Sequence, residues 1–455
     1  MEFSLSEYQG TQRRIHFIGI CGVSMNAIAQ ALHARGIRVT GSDRTDGEQA
    51  ELLRRAGIPV SIGHLPEYVH GADAIVRTAA IHDDSPDIAE ARRLGIPVYE
   101  RPEVLGALMR EHASCVCVAG THGKTTVTGM VTTLCMDAGL DPTVFIGANY
   151  PPIGGMHRLG DSPVLVAEAC EYCDSFLSFF PETAVVLNIE ADHLDYFKNI
   201  ENIRASFRKY AERTPQDGLV IWNADDPNCR LAMEGIARPQ MTFGRRAGDL
   251  RAENVEMPDG HAEFDLVLRG ETLCRVRCGV AGEFQVYNAL AASAAALHLG
   301  IAPEQICRSL GGFGGASRRM ERKGTVNGAD FYDDYAHHPS EIEATLRTAR
   351  AMTRGRVLCA FQSHTYSRTK ALLADFGKSL QLADRVYVAP IFSAREIDDG
   401  IVSAQSIADL VPGSEAFPDF ASIAAAIRRE AKPGDLVISM GAGDITVLYD
   451  LIEKQ

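Results

Sequence analysis

No apolar run in the chain approaches the about 18 residues that a membrane-crossing helix needs, so a helical membrane span is not expected. The first residues, MEFSLSEYQGTQRR, lack the apolar core of a signal peptide, and the expectation is a cytoplasmic protein. No lysine- or arginine-rich run occurs, and the formal net charge is −14. Nucleic acids and anionic membrane surfaces require a cationic face, so neither is an expected partner. A small anion held in a local pocket stays open. The 11 cysteines follow no disulfide-framework spacing, which fits reduced thiols in a cytosolic enzyme. Two local pairs, Cys170 with Cys173 and Cys274 with Cys278, raise the question of zinc. Nothing in the spacing brings those pairs together, so buried free thiols are expected. Internal repeats and low-complexity stretches are absent too.

What is present is a 455-residue chain, 46% hydrophobic and 23% charged, long enough for two or three soluble domains. Short apolar runs alternate with helical patterns, as in parallel-sheet α/β units. Strands are expected at Ile15–Ile18, Val39–Thr40, Ala74–Thr78 and Pro97–Tyr99, then at Cys115–Ala119, Val164–Ala167, Ala184–Ile189 and Leu219–Trp222. Between Arg251 and Val280 the rhythm changes to alternation and predicts a β-hairpin excursion. After a helix at Asn288–Leu299, the glycine-rich Gly311–Arg319 reads as a hinge. A last α/β unit would use Phe331–Asp333, Val357–Phe361, Val386–Ala389 and Leu436–Met440. The fold class is therefore α/β in three domains, over 1–112, 113–315 and 316–455. A monomer or homodimer fits this size.

The strongest chemical signal is the turn GTHGKTT, Gly120 to Thr126, between an expected strand and helix. Glycines let backbone N–H groups approach phosphate oxygens, and the helix N-terminus adds positive potential. Gly120, Thr121, His122, Gly123, Lys124, Thr125 and Thr126 are thus expected to bind ATP. Lys124 would neutralise the β- and γ-phosphates, and the Thr125 hydroxyl would ligate Mg²⁺. The two glycines stand closer together than in the general P-loop. Acidic groups at neighbouring strand ends, Glu168 in AEACEYCDSF and the segment NIEADHLD with His193, are candidate metal ligands.

The first domain carries GICGVSM, Gly19 to Met25, then GSD, Gly41 to Asp43. This is a weak dinucleotide fingerprint, with Cys21 where glycine is usual. Taken alone it suits NAD as well as another nucleotide, leaving a dehydrogenase or a nucleotide-binding regulator open. The third unit offers DDYAHHP, Asp333 to Pro339, and QSHTYSRT, Gln362 to Thr369, at strand ends where binding residues concentrate.

These motifs in this order resemble the Mur ligases, which build the peptidoglycan precursor. The likeness covers essentially the whole chain, down to GAGDI, Gly441 to Ile445. It implies three domains, the first and last Rossmann-like and the middle a P-loop-type ATPase sheet, and an ATP-dependent ligase that joins L-alanine to the carboxylate of UDP-N-acetylmuramate through an acyl phosphate. A recycling ligase that adds a whole tripeptide is the alternative within the family. The resemblance implies that Gly19, Gly22, Ser42 and Asp43 bind the UDP-sugar. It gives ATP and Mg²⁺ to Lys124 and Thr125, with Glu168 on the first metal and His193 on a second. Asn288, Arg319 and Asp333 would reach the nucleotide. His338, His364 and Arg368 would place the amino acid, and either His193 or His338 would act as base. Relative to many members, Cys170, Tyr172 and Cys173 replace an aspartate, a serine and an aspartate. Only the last position of H-N-x-x-N survives, as Asn288, and Thr365 replaces an arginine.

Overall fold

The computed structural model describes residues 2–78, 81–394 and 396–454, with residue 195 described by its backbone alone. Among these residues the chain packs as two compact units, Met1–Arg251 with Leu290–Ile306, and Ala252–Ala289 with Cys307–Gln455. The sequence boundaries at 112/113 and 315/316 group the elements differently. The first unit holds two sheets. In the alternating stretch after Arg251, Gly260 lies against Met352 of the helix Pro339–Met352.

The first sheet runs Val60–Ile62, Arg38–Asp43, Arg14–Ile18, Ala74–Arg77, Val98–Glu100, and every pairing is parallel. Arg14–Ile18 lies at the centre, so the turn after it opens where strand order reverses. That is the place for a ligand in such a sheet. Helix Val23–Ala34 starts there, with Gly22 as its N-cap.

The first unit's second sheet runs Gln240–Gly244, Leu219–Asn223, Thr183–Val186, Ser114–Ala119, Val164–Glu168, Thr143–Tyr150, Gly155–Arg158. All are parallel except the edge strand Gly155–Arg158, which pairs antiparallel with Thr143–Tyr150. The strand Ser114–Ala119 is apolar after its first residue and buried, as a parallel strand covered on both faces must be. It stands between strands that come much later in the chain, a second reversal of order. The glycine turn follows it directly.

Helix Arg101–Met109 ties the two sheets together. A Cβ on its Gly106 would fall 2.0 Å from the Ser178 carbonyl oxygen, so only glycine permits this approach.

In the second unit, strands His261–Leu268 and Glu271–Ala281 form the expected hairpin. The sheet there runs Glu321–Val326, Ala329–Asp334, Leu436–Met440, Val357–Phe361, Arg385–Val388, Ser414–Ala416, parallel beyond its first pair. The expectation of free thiols needs one correction. Cys274 on the hairpin and Cys307 on helix Pro303–Gly312 form a disulfide across 33 residues. Tertiary packing makes this pair, and local spacing carried no sign of it. Cys170, Cys173 and Cys278 are free.

Candidate active site

The glycine turn owes its shape to two backbone requirements. Gly120 has φ 151°, and a Cβ there would lie 2.8 Å from Leu187 Cβ. Gly123 caps helix Lys124–Asp137 in the left-handed region, φ 85°. Either position would be strained with a side chain. The helix then begins with Lys124, Thr125 and Thr126, whose first-turn N–H groups lack intrahelical acceptors and suit an anion.

A neighbouring strand end braces the turn. Asn188 accepts the His122 N–H at its Oδ1 (2.8 Å) and donates from Nδ2 to the His122 carbonyl (3.1 Å). The Thr121 hydroxyl accepts the Glu190 N–H at 2.9 Å, and His122 Nε2 lies 3.2 Å from Glu190 Oε2. Thr121 and His122, expected at the nucleotide, therefore also hold the loop.

Lys124 is the charged centre. Its ammonium donates to the carbonyls of Gly120 (2.6 Å) and Thr121 (3.1 Å) and pairs with Glu171 at 2.9 Å. The pair is deep: the side chains are 15% and 5% exposed. Burial pushes the Lys124 pKa down, but Glu171, aided by Cys170 and Glu168, more than offsets this, and the pKa ends above the ordinary lysine value. Lys124 is a cation throughout the physiological range. Glu171 was not singled out from the sequence.

Glu168 sits beside it at the end of Val164–Glu168. Its Oε2 accepts the Thr125 hydroxyl at 2.9 Å and the Gly147 N–H at 2.8 Å. A Cβ on Gly147 would fall 2.6 Å from either carboxylate oxygen. A hydroxyl and a carboxylate held this close, beside a helix N-terminus that suits an anion, are the hard oxygen donors that Mg²⁺ takes. His193 has φ 51° and caps the short helix Leu194–Phe197; its ring packs 4.6 Å from Tyr172.

In the first sheet's turn, Gly19 has φ 79°, and its N–H donates to the Ser42 carbonyl at 2.8 Å. Asp43 Oδ2 accepts the Cys21 N–H at 2.9 Å and so braces the turn. The Ser42 hydroxyl points inward: fully buried, it lies 3.3 Å from His16 Nε2. Burial lowers His16 to about 4, keeping it neutral. A cleft of about 370 Å³ is lined by Val23 and Ser24 of this domain's helix, by Arg101, and by Gly147, Glu168 and Cys170 of the second sheet. The first residues of this helix and the carboxylate of Glu168 thus line one cavity.

The second unit gathers the remaining expected residues. Asp333 is buried and its oxygens are taken by Arg318, Ser439 and Thr446 at 3.2, 2.7 and 2.8 Å. Arg319 stacks on Tyr335 at 5.1 Å and keeps a buried Nε without a hydrogen-bond partner. Asn288 Nδ2 donates to Gln285 at 3.0 Å. His338 caps helix Pro339–Met352, its Nδ1 lying 2.9 Å from the Ser340 hydroxyl. His364 stacks on Phe392, and burial, helped by the Arg368 charge, lowers its pKa. Thr365 takes φ 68°, strained for a β-branched residue, and its hydroxyl accepts the Arg368 N–H at 3.4 Å.

Family profiles match the chain in three consecutive blocks. They are the Mur ligase family, catalytic domain, over residues 14–113; the Mur ligase middle domain over 118–296; and the Mur ligase, glutamate ligase domain, over 318–443.

The chain belongs to the Mur ligase family.

Within that family it is 42% identical over 460 residues to a UDP-N-acetylmuramate–L-alanine ligase of Caldanaerobacter subterraneus, covering 100% of this chain and 98% of the relative. A protein of the same name from Caldicellulosiruptor bescii is also 42% identical, over 96% of this chain and 98% of its own length. Among solved structures, the UDP-N-acetylmuramate-alanine ligase of Thermotoga maritima superposes with a TM-score of 0.80 at 28% identity. That match covers 97% of this chain and 98% of the other. A murein peptide ligase of Psychrobacter arcticus gives 0.71 at 25% identity, covering 97% and 98%. The expected three-domain α/β Mur ligase architecture is therefore found.

Proposed function

We propose that this Mur ligase joins L-alanine to the carboxylate of UDP-N-acetylmuramate, with ATP converted to ADP and phosphate. The observation that carries the reading is Glu168, which accepts the Thr125 hydroxyl next to Lys124 and also lines the cleft with Val23 and Ser24 of the first domain's helix. Full-length relatives named for this activity support it. The reading takes the domains as 1–112, 113–315 and 316–455 and the protein as a cytosolic enzyme acting on small molecules.

A carboxylate is a poor acyl donor because its oxygen leaves badly, so it must first be phosphorylated. The muramoyl carboxylate attacks the γ-phosphorus of ATP, ADP leaves, and an acyl phosphate forms. The two reactants are both anionic and repel. Lys124 and the N–H groups of the glycine turn offset that charge and hold the reacting groups in line. Thr125 and Glu168 would hold Mg²⁺, with His193 at a second ion; when bound, it supplies further charge neutralisation. The neutral amine of L-alanine then attacks the acyl carbon, and the tetrahedral intermediate expels phosphate. His193 or His338 takes the amine proton. Asn288, Arg319 and Asp333 serve the nucleotide, and His338, His364 and Arg368 serve the amino acid. Gly19 and Gly22 serve the UDP-sugar, together with the Ser42–Asp43 backbone.

The test is an acceptor panel with ATP, Mg²⁺ and UDP-N-acetylmuramate. Phosphate release and an alanyl product are expected with L-alanine. A tripeptide accepted in place of L-alanine transfers the assignment to the recycling reaction. Tight NAD binding without ATP turnover would remove the ligase reading.

A further inference from the structure

Arg101 breaks three local rules at once. It is the first residue of helix Arg101–Met109, where the macrodipole favours anions and disfavours a cation. It is part-buried, and among the described residues its guanidinium makes no hydrogen bond or ion pair. The adjacent Glu100 is engaged by Arg77, whose Nε donates to it at 2.8 Å. Burial lowers the Arg101 pKa, opposed by Cys170 and Glu100, but an arginine remains charged. A part-buried cation without a counter-ion is costly in a folded protein. Departures of this kind are expected where function requires them.

Its position says what it awaits. Arg101 lines the same cleft as Ser24 and Glu168. Cys170, its electrostatic neighbour, is also a neighbour of Glu171, Lys124 and Glu168. Arg101 therefore shares its cavity with Glu168 and Cys170, while the Gly19–Gly22 turn proposed for the diphosphate precedes the cavity's other lining helix, Val23–Ala34. We propose that Arg101 grips the lactyl carboxylate of the sugar nucleotide and presents it for phosphorylation. A guanidinium suits this task because its planar fork matches a carboxylate with two parallel hydrogen bonds. It orients the oxygens while leaving a lone pair for attack. The inference rests on the proposed function, which brings that carboxylate into the cleft.

The experiment is calorimetric titration of the full chain with two ligands. UDP-N-acetylmuramate carries the lactyl carboxylate; UDP-N-acetylglucosamine has the same nucleotide and diphosphate without it. Arg101→Ala, and Arg101→Met to retain the packing of the stem, should each weaken the first ligand by roughly 10- to 100-fold, the range for a lost hydrogen bond to a charged group. Binding of the second ligand should be unchanged, and Arg101→Lys should fall between wild type and Arg101→Ala for the first. Equal weakening of both ligands would move Arg101 to the diphosphate and overturn the proposal, as would unchanged binding of both. A wild-type chain that fails to bind UDP-N-acetylmuramate at all would instead remove the functional reading beneath it.

Discussion

Lys124→Ala is expected to lower kcat by on the order of 1,000-fold while UDP-N-acetylmuramate still binds. The turn holds the ammonium directly, against the carbonyls of Gly120 and Thr121 and the carboxylate of Glu171. Without it, nothing on the turn's own side chains offsets repulsion between a carboxylate and the γ-phosphate. In the proposed function the sugar nucleotide is held by the Gly19–Gly22 turn, which the substitution does not touch. One complication is structural. Removing Lys124 leaves Glu171 buried without its charge partner, an arrangement that costs about 3–5 kcal/mol in such pairs. The double variant Lys124→Ala/Glu171→Gln removes both charges. It should regain much of the lost thermal stability and none of the turnover. Turnover that returned with stability would make Lys124 a structural residue only.

Glu168→Gln should lower kcat by about 100-fold or more and raise the Mg²⁺ concentration needed for half-maximal rate. The amide oxygen can still accept from Gly147 N–H and the Thr125 hydroxyl, so the fold should survive and Tm should change little. A magnesium titration of initial rates separates the two roles. An unchanged half-saturation would leave Glu168 as a brace for Thr125 and Gly147 and remove it from the metal site.

Both predictions fall on residues that were legible in the sequence, for a local reason. Strand, glycine turn and helix are contiguous, so the chemistry of Gly120–Thr126 is written within one short segment. Glu168 directly follows an apolar run and marks a strand end. Glu171 was harder to see. The segment after it kinks through positive φ at Cys173 and Asp174, so spacing alone did not show which acid turns toward Lys124. Asn188 braces the turn only because Thr183–Val186 lies beside Ser114–Ala119, and that neighbourhood is a matter of topology. Ser42 shows the reverse case. Its place at the strand end was readable, but strand parity puts it on the same face as Thr40, and both hydroxyls meet His16 on the neighbouring strand. The short edge strands Val60–Ile62 and Ser414–Ala416 carry too few residues for any periodicity. The Cys274–Cys307 bond depends wholly on how a helix meets a hairpin. Arg101, in a segment without a motif, became visible only once its lack of a partner could be seen.

The central claim is that the muramoyl carboxylate is activated by phosphorylation at the Lys124 turn. UDP-N-acetylmuramate labelled with ¹⁸O in the lactyl carboxylate tests it directly, with L-alanine and ATP and mass analysis of the released phosphate. An acyl-phosphate route passes one carboxylate oxygen to the phosphate, so the label must appear there. Unlabelled phosphate, formed alongside the alanyl product, would contradict the account.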